Sequence, residues 1–213
     1  MNSALLSLLQ LSDPALPIGG YAHSWGLETY VQEGVVHDTV TAEEYVRQML
    51  STSLHYTDAA LMVLSYQADA ERLLELDALC EAVKLPREIR EGSRKLGARL
   101  LKIFGGMVVM PAPGLTHYPV AFGYCAARLD IPLQEALTGY YYNAAAGMVT
   151  NCVKLIPIGQ QDGQQLLFSL HPLIQQLVEK SLQPDPDLIG LCCAGLDIRC
   201  MQHEQLYSRL YMS

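Results

Sequence analysis

Apolar positions along the 213-residue chain recur with helical spacing, and no segment alternates like a strand bounded by hairpin turns. Leu5, Leu6, Leu8, Leu9 and Leu11 form a short leucine-rich run. Ala42, Tyr45, Val46, Met49 and Leu50 share one helix face behind Thr41, which suits a capping box with Glu44. Asp58 is placed to cap the next helix, where residues 59–64 are apolar nearly all round and belong at the centre. Leu73, Leu76, Leu79, Ala82 and Val83 line another helix that ends before Pro86. From there Ile89, Ser93, Leu96, Gly97, Leu100 and Phe104 face inward. Helices over residues 119–129 and 132–156 follow, with Gly139 and Gly147 allowing close helix approach. A further helix bends at Pro172, and the last starts near Asp187 and runs past Met201. The pattern predicts an all-α, single-domain helical bundle of about ten helices over residues 1–213, with residues 207–213 left as a C-terminal tail.

Two stretches break the helical pattern in ways that imply shape. Residues 13–28 read D-P-A-L-P-I-G-G-Y-A-H-S-W-G-L-E. Pro14 and Pro17 restrict the backbone and Gly19–Gly20 free it, so the connector takes a defined non-helical path carrying Tyr21, His23 and the one tryptophan, Trp25. Ser24 suits the N-cap of the helix beyond, with Glu28 in its first turn. Residues 105–119 form a second long loop ending in L-T-H-Y-P.

Composition narrows the classes. Half the residues are hydrophobic and 17% are charged, a balance that favours burying part of the surface against another protein. The net charge of −8 argues against nucleic acid or an anionic membrane as the main partner. Residues 1–12 lack a basic leader segment, and neither of the longest uncharged runs reads as a bilayer span, since 103–127 is broken by Pro111, Pro113 and Pro119 and 136–153 is interrupted by Thr and Asn, so a cytoplasmic location is expected. The six cysteines show no C-x-x-C spacing and read as buried thiols. Arg87, Arg90, Arg94, Lys95, Arg99 and Lys102 crowd the outer faces of one helix, as a solvated face or as a surface for an anionic partner.

No P-loop, dinucleotide fingerprint, zinc-protease helix, EF-hand or nucleophile elbow is present. Cys200 and His203 stand one helical turn apart, with Cys193 near the same face. They read as a core thiol and a surface histidine, or as a soft-metal or nucleophile–base pair. The second option leaves open a small helical enzyme or ligand-binding protein using Cys200, His203 and His117.

The stretch at residues 13–28 resembles the opening motif of the UreF-type urease accessory proteins. Four more segments resemble that family in the same order: R-E-G-S-R-K-L-G-A-R-L-L (90–101), H-Y-P-V-A-F-G-Y (117–124), V-K-L-I-P-I-G-Q-Q-D-G-Q (153–164) and D-I-R-C-M-Q-H-E-Q-L-Y-S-R-L-Y-M-S (197–213). Gly92 departs from it, standing where a helix former is usual at a cost of about 1 kcal/mol. The resemblance implies a non-enzymatic, all-α homodimer that serves as an adaptor in nickel insertion into urease. Such an adaptor binds a UreD/UreH-type scaffold, recruits the UreG-type GTPase with a proposed effect on its GTPase activity, and meets the urease apoprotein through the complex. No catalytic residue, cofactor or metal ligand is implied. Tyr21 and Arg209, with Tyr207 and Tyr211 of the tail, are the implied partner-binding residues, and their aromatic and guanidinium groups have the chemistry of interface anchors.

Overall fold

The computed structural model describes residues 3–111, 114–191 and 193–211; the side chains of Ser3 and Tyr21 lie outside that description. Among the described residues there are helices and loops but no strand, so the fold is all-α as the periodicity requires. None of the helices is long and apolar enough to cross a membrane.

Helix α1 (Ser3–Leu11) packs on the long helix α8 (Leu133–Leu155), where Leu8 and Ser12 fill the space beside Gly139. Gly147 of the same helix faces open space instead, so the expected close approach there does not occur. Helix α2 (Leu27–Gln32) follows the connector, and α3 (Thr39–Met49) starts from Asp38. Asp38 and Thr41 make the capping box reciprocally: the Thr41 N–H donates to Asp38 Oδ1 at 2.8 Å and the Asp38 N–H to Thr41 Oγ1 at 3.0 Å. The box lies three residues earlier than the sequence suggested, because the aspartate outcompetes Thr41 for the cap position.

A wide π-helical segment (Leu50–Ala59) joins α3 to α4 (Ala60–Tyr66) without a break. Asp58 therefore does not cap a new helix. It is buried and paired with Lys84, whose ammonium lies 2.8 and 3.0 Å from its two carboxylate oxygens. Burial works against the Lys84 charge, but the Asp58 carboxylate overrides it and holds the ammonium above its ordinary range.

Helices α5 (Ala70–Val83), α6 (Arg87–Gly105) and α7 (Tyr118–Arg128) come next, with α7 packed against both α4 and α6. The loop before α7 is fixed by Asp77 of α5, which accepts from the N–H groups of Thr116 and His117 at 3.1 and 2.8 Å. Beyond α8, Pro172 begins α10 (His171–Ser181) directly after α9 (Gln160–Ser169), giving two helices where one bent helix was expected. The last helix, α11 (Ala194–His203), begins later than Asp187. A 3₁₀ turn (Pro186–Leu188) and Gly190, with φ of +79°, intervene. Tyr141, Phe122, Leu50, Leu61, Leu100 and Leu137 are among the fully buried side chains at the centre.

Candidate functional site

The connector at residues 13–26 is clamped between α6 and α11. At Gly19 the backbone is left-handed (φ +91°), and a side chain there would run into the Arg99 guanidinium. Arg99 Nη1 donates to the Ile18 carbonyl at 2.9 Å, so a residue of the basic helix pins the glycine turn. Four residues on, the His23 imidazole lies against Gly92, where an added Cβ would stand 2.8 Å from the ring. That contact accounts for a glycine inside α6. The His23 carbonyl accepts from Asn151 of α8 at 2.8 Å. Burial first, then the charges of Lys95 and Arg99, push the His23 imidazole down to about 4, so the ring is neutral at neutral pH.

Trp25 has positive φ (+55°), and its carbonyl accepts from Tyr45 Oη at 3.1 Å. The N-cap of α2 is Gly26 (φ +81°) rather than Ser24. A side chain at Gly26 would stand 2.9 Å from Cys200 Sγ, which brings α11 down onto the connector.

Glu28, in the first turn of α2, is only 3% exposed. Its carboxylate accepts from the N–H of Leu210 at 2.8 Å, from the N–H of Tyr211 at 3.0 Å, and faces His203 Nε2 at 2.8 Å. His203 is fully buried, and its Nδ1 lies 2.7 Å from Glu88 of α6. The other oxygen of Glu88 accepts from Arg209 Nη1 at 2.9 Å. A single chain of polar contacts thus joins α2, α11, α6 and the C-terminal segment. It is reinforced by Gln32, which donates to the Ser208 carbonyl, and by Arg87, which pairs with Glu204 at 3.0 Å.

The segment beyond α11 is divided in its exposure. Tyr211 is turned inward and 9% exposed, and its phenol is pushed up by burial and by Glu28. Tyr207 is fully exposed, Leu210 is largely so, and the Arg209 side chain is part-exposed at 40%. A cleft of about 390 Å³ lies beside them, lined in part by His23, Arg87, Glu88, Lys95, Arg209 and Tyr211. The backbone of Tyr21 forms a 3₁₀ turn (Gly20–Ala22) in the connector. Its side chain, and with it any contact to Arg209, lies outside the described residues, as do Met212 and Ser213.

His203 is therefore not the surface histidine expected from its spacing. Nor is Cys200 placed for chemistry: it is buried, and burial first, then Asp197 and Glu88, push its thiol up to about 12. His117 is buried with other partners, 2.8 Å from Glu81 and 3.2 Å from Ser93. Among the described residues no hydrogen bond or ion pair joins Cys200, His203 and His117, and no cluster of His, Cys, Asp and Glu has the arrangement of a metal site. A cavity of about 230 Å³ is lined in part by Trp25, Asp58, Lys84 and Tyr140, and Asp58 and Lys84 neutralise each other there.

Sequence reasoning missed Glu28 and Glu88 as site residues. The available signal was that Glu28 closes the first family-like segment while His203 sits in the last, an acid and an imidazole at opposite ends of one chain.

Comparison with known proteins gives one family throughout. The family profile described as UreF matches residues 36–171. A protein of Actinobacillus pleuropneumoniae serotype 5b (strain L20) named urease accessory protein UreF is 46% identical over 97% of this chain and 98% of its own length. Proteins of the same name from Haemophilus influenzae (strain ATCC 51907 / DSM 11121 / KW20 / Rd) and Arthrobacter sp. (strain FB24) are 45% and 38% identical. The first covers 97% of this chain and 94% of the relative, the second 100% and 98%. The Arthrobacter alignment therefore includes both the connector and the C-terminal segment.

Proposed function

The chain belongs to the UreF family of urease accessory proteins, and from that premise we propose that it is an adaptor in urease maturation. It binds a UreD/UreH-type scaffold and recruits a UreG-type GTPase that delivers nickel to the urease apoprotein, modulating that GTPase in the process. It works as a homodimer in the cytoplasm and carries out no chemistry of its own. The observation that carries this reading is the docked C-terminal segment. Arg209, held by Glu88, lines one cleft with His23 of the connector, and Tyr207 of the same segment is fully exposed. Arginine and tyrosine at such a junction are the residue types that anchor protein interfaces.

The test is capture of scaffold and GTPase by the full chain and by a chain ending at Leu206. The adaptor reading expects the shortened chain to remain helical and to lose the GTPase. Equal capture of the GTPase by both chains would overturn it. Light scattering of the chain and of its scaffold complex tests the homodimer; one copy in both would contradict it.

A further inference from the structure

The two ring nitrogens of His203 each face a carboxylate oxygen, at 2.8 Å to Glu28 and 2.7 Å to Glu88. A neutral imidazole offers one N–H donor, and an ionised carboxylate only accepts. Both contacts can be hydrogen bonds only if the trio holds one proton more than a neutral ring and two carboxylates. Either the ring carries both protons or one carboxyl carries the extra one. With Arg209 on Glu88, the group Glu28–His203–Glu88–Arg209 is then electrically neutral, as burial of this kind demands.

The surrounding charges do not supply that proton's partner from elsewhere. Glu204 is taken by Arg87, Cys200 stays a thiol, and Lys95 and Glu91 line the outer cleft beside neutral His23. Asp197, on α11, adds a further negative charge near Cys200. Tyr211 packs against Glu28 as a neutral phenol.

We propose that the one extra proton shared by Glu28, His203 and Glu88 is what holds the C-terminal segment against the connector. These three are positioning residues for Arg209, and segment docking weakens as pH rises. Loss of the proton to solvent sets a ring lone pair against a carboxylate oxygen and leaves a net negative charge in a dry site. Relief requires one carboxylate to move away, and those carboxylates are also the acceptors for the Leu210 and Tyr211 N–H groups and for Arg209. The step from docking to GTPase recruitment rests on the adaptor reading above.

Glu88→Gln separates proton from structure. Its amide can donate to Nδ1 of a neutral ring while its carbonyl still accepts from Arg209, so every contact is kept with no extra proton. The experiment is amide hydrogen exchange at Leu210 and Tyr211 in the full chain, normalised to the intrinsic rate at each pH. In the unaltered chain, protection is expected to fall on the order of tenfold as pH is raised across the neutral range. Glu88→Gln is expected to stay protected and show a flat profile. A flat profile in the unaltered chain, an equally steep one in Glu88→Gln, or absence of protection in Glu88→Gln would each overturn the proposal. GTPase capture at the same pH values separates the two readings. If protection changes as expected and capture does not, the clasp stands and the adaptor reading fails.

Discussion

Glu28 and His203 are 175 residues apart in the chain and 2.8 Å apart in space, and the contact between them closes the C-terminal end of the molecule onto its N-terminal connector. Glu28 also takes the N–H groups of Leu210 and Tyr211, so one buried carboxyl group holds three partners. Glu28→Ala removes all three contacts at once and strands the buried His203 ring beside Glu88. The expected loss is about 3 kcal/mol of unfolding free energy, as for a buried ion pair broken on one side. Urea denaturation measures it, and a change below about 0.5 kcal/mol, the level of an ordinary surface substitution, would contradict the clasp.

Gly92→Ala inverts the usual helix rule. Alanine is worth about 1 kcal/mol more than glycine in a helix interior. Here its methyl would press on the buried His23 ring at 2.8 Å, so the substitution is expected to lower the denaturation midpoint. Removing the ring in His23→Ala should abolish the penalty, which a double-mutant cycle reads directly. A raised midpoint for Gly92→Ala alone would show that the ring gives way freely.

The helices were legible from the sequence because burial has a period there. Ala42, Tyr45, Val46 and Met49 face inward as their spacing requires, and so do Leu96, Leu100 and Phe104. Local competition hid the ends. Ser24 and Asp58 look like caps, yet Gly26 takes the first position and the helix runs on past the second. Gly92 reads as a weak helix residue from local propensity alone, because the His23 ring beside it comes from a distant segment. The clasp was illegible for a different reason: Glu28, Glu88 and His203 come from three helices, and no local spacing encodes a contact between distant segments. The resemblance marked Tyr21 and Arg209 without showing that Glu88 holds Arg209 in place.

Acid should weaken the connector through His23. Its imidazole lies at about 4 in the folded chain and near the ordinary 6.5 when unfolded. The unfolded chain therefore binds the extra proton first, and stability falls as pH is lowered from about 6.5 to about 4, by about 3 kcal/mol at most. Because other groups titrate there too, the measurement is the difference between the unaltered chain and His23→Gln in urea at each pH. The difference should shift in favour of His23→Gln on acidification. A pH-independent difference would contradict a neutral buried His23.

Lys84 and Asp58 test whether the interior pair behaves as a unit. Lys84→Met strands a buried carboxylate and is expected to cost about 3–5 kcal/mol. The double change Asp58→Leu/Lys84→Met should recover most of that loss, since a hydrophobic pair of similar bulk replaces the ions. Additive destabilisation in the cycle, measured by chemical denaturation, would show that the two residues act separately.

The central claim is that the connector and the C-terminal segment form one recruiting surface, and a double-mutant cycle on Tyr21 and Arg209 tests it most directly. Binding of the GTPase to the scaffold-bound chain would be measured for the unaltered chain, Tyr21→Ala, Arg209→Ala and the pair, after confirming that each remains helical. Each single change is expected to weaken binding by about 2 kcal/mol, and the pair to be little worse than either alone. Full-strength recruitment by Arg209→Ala would contradict the claim.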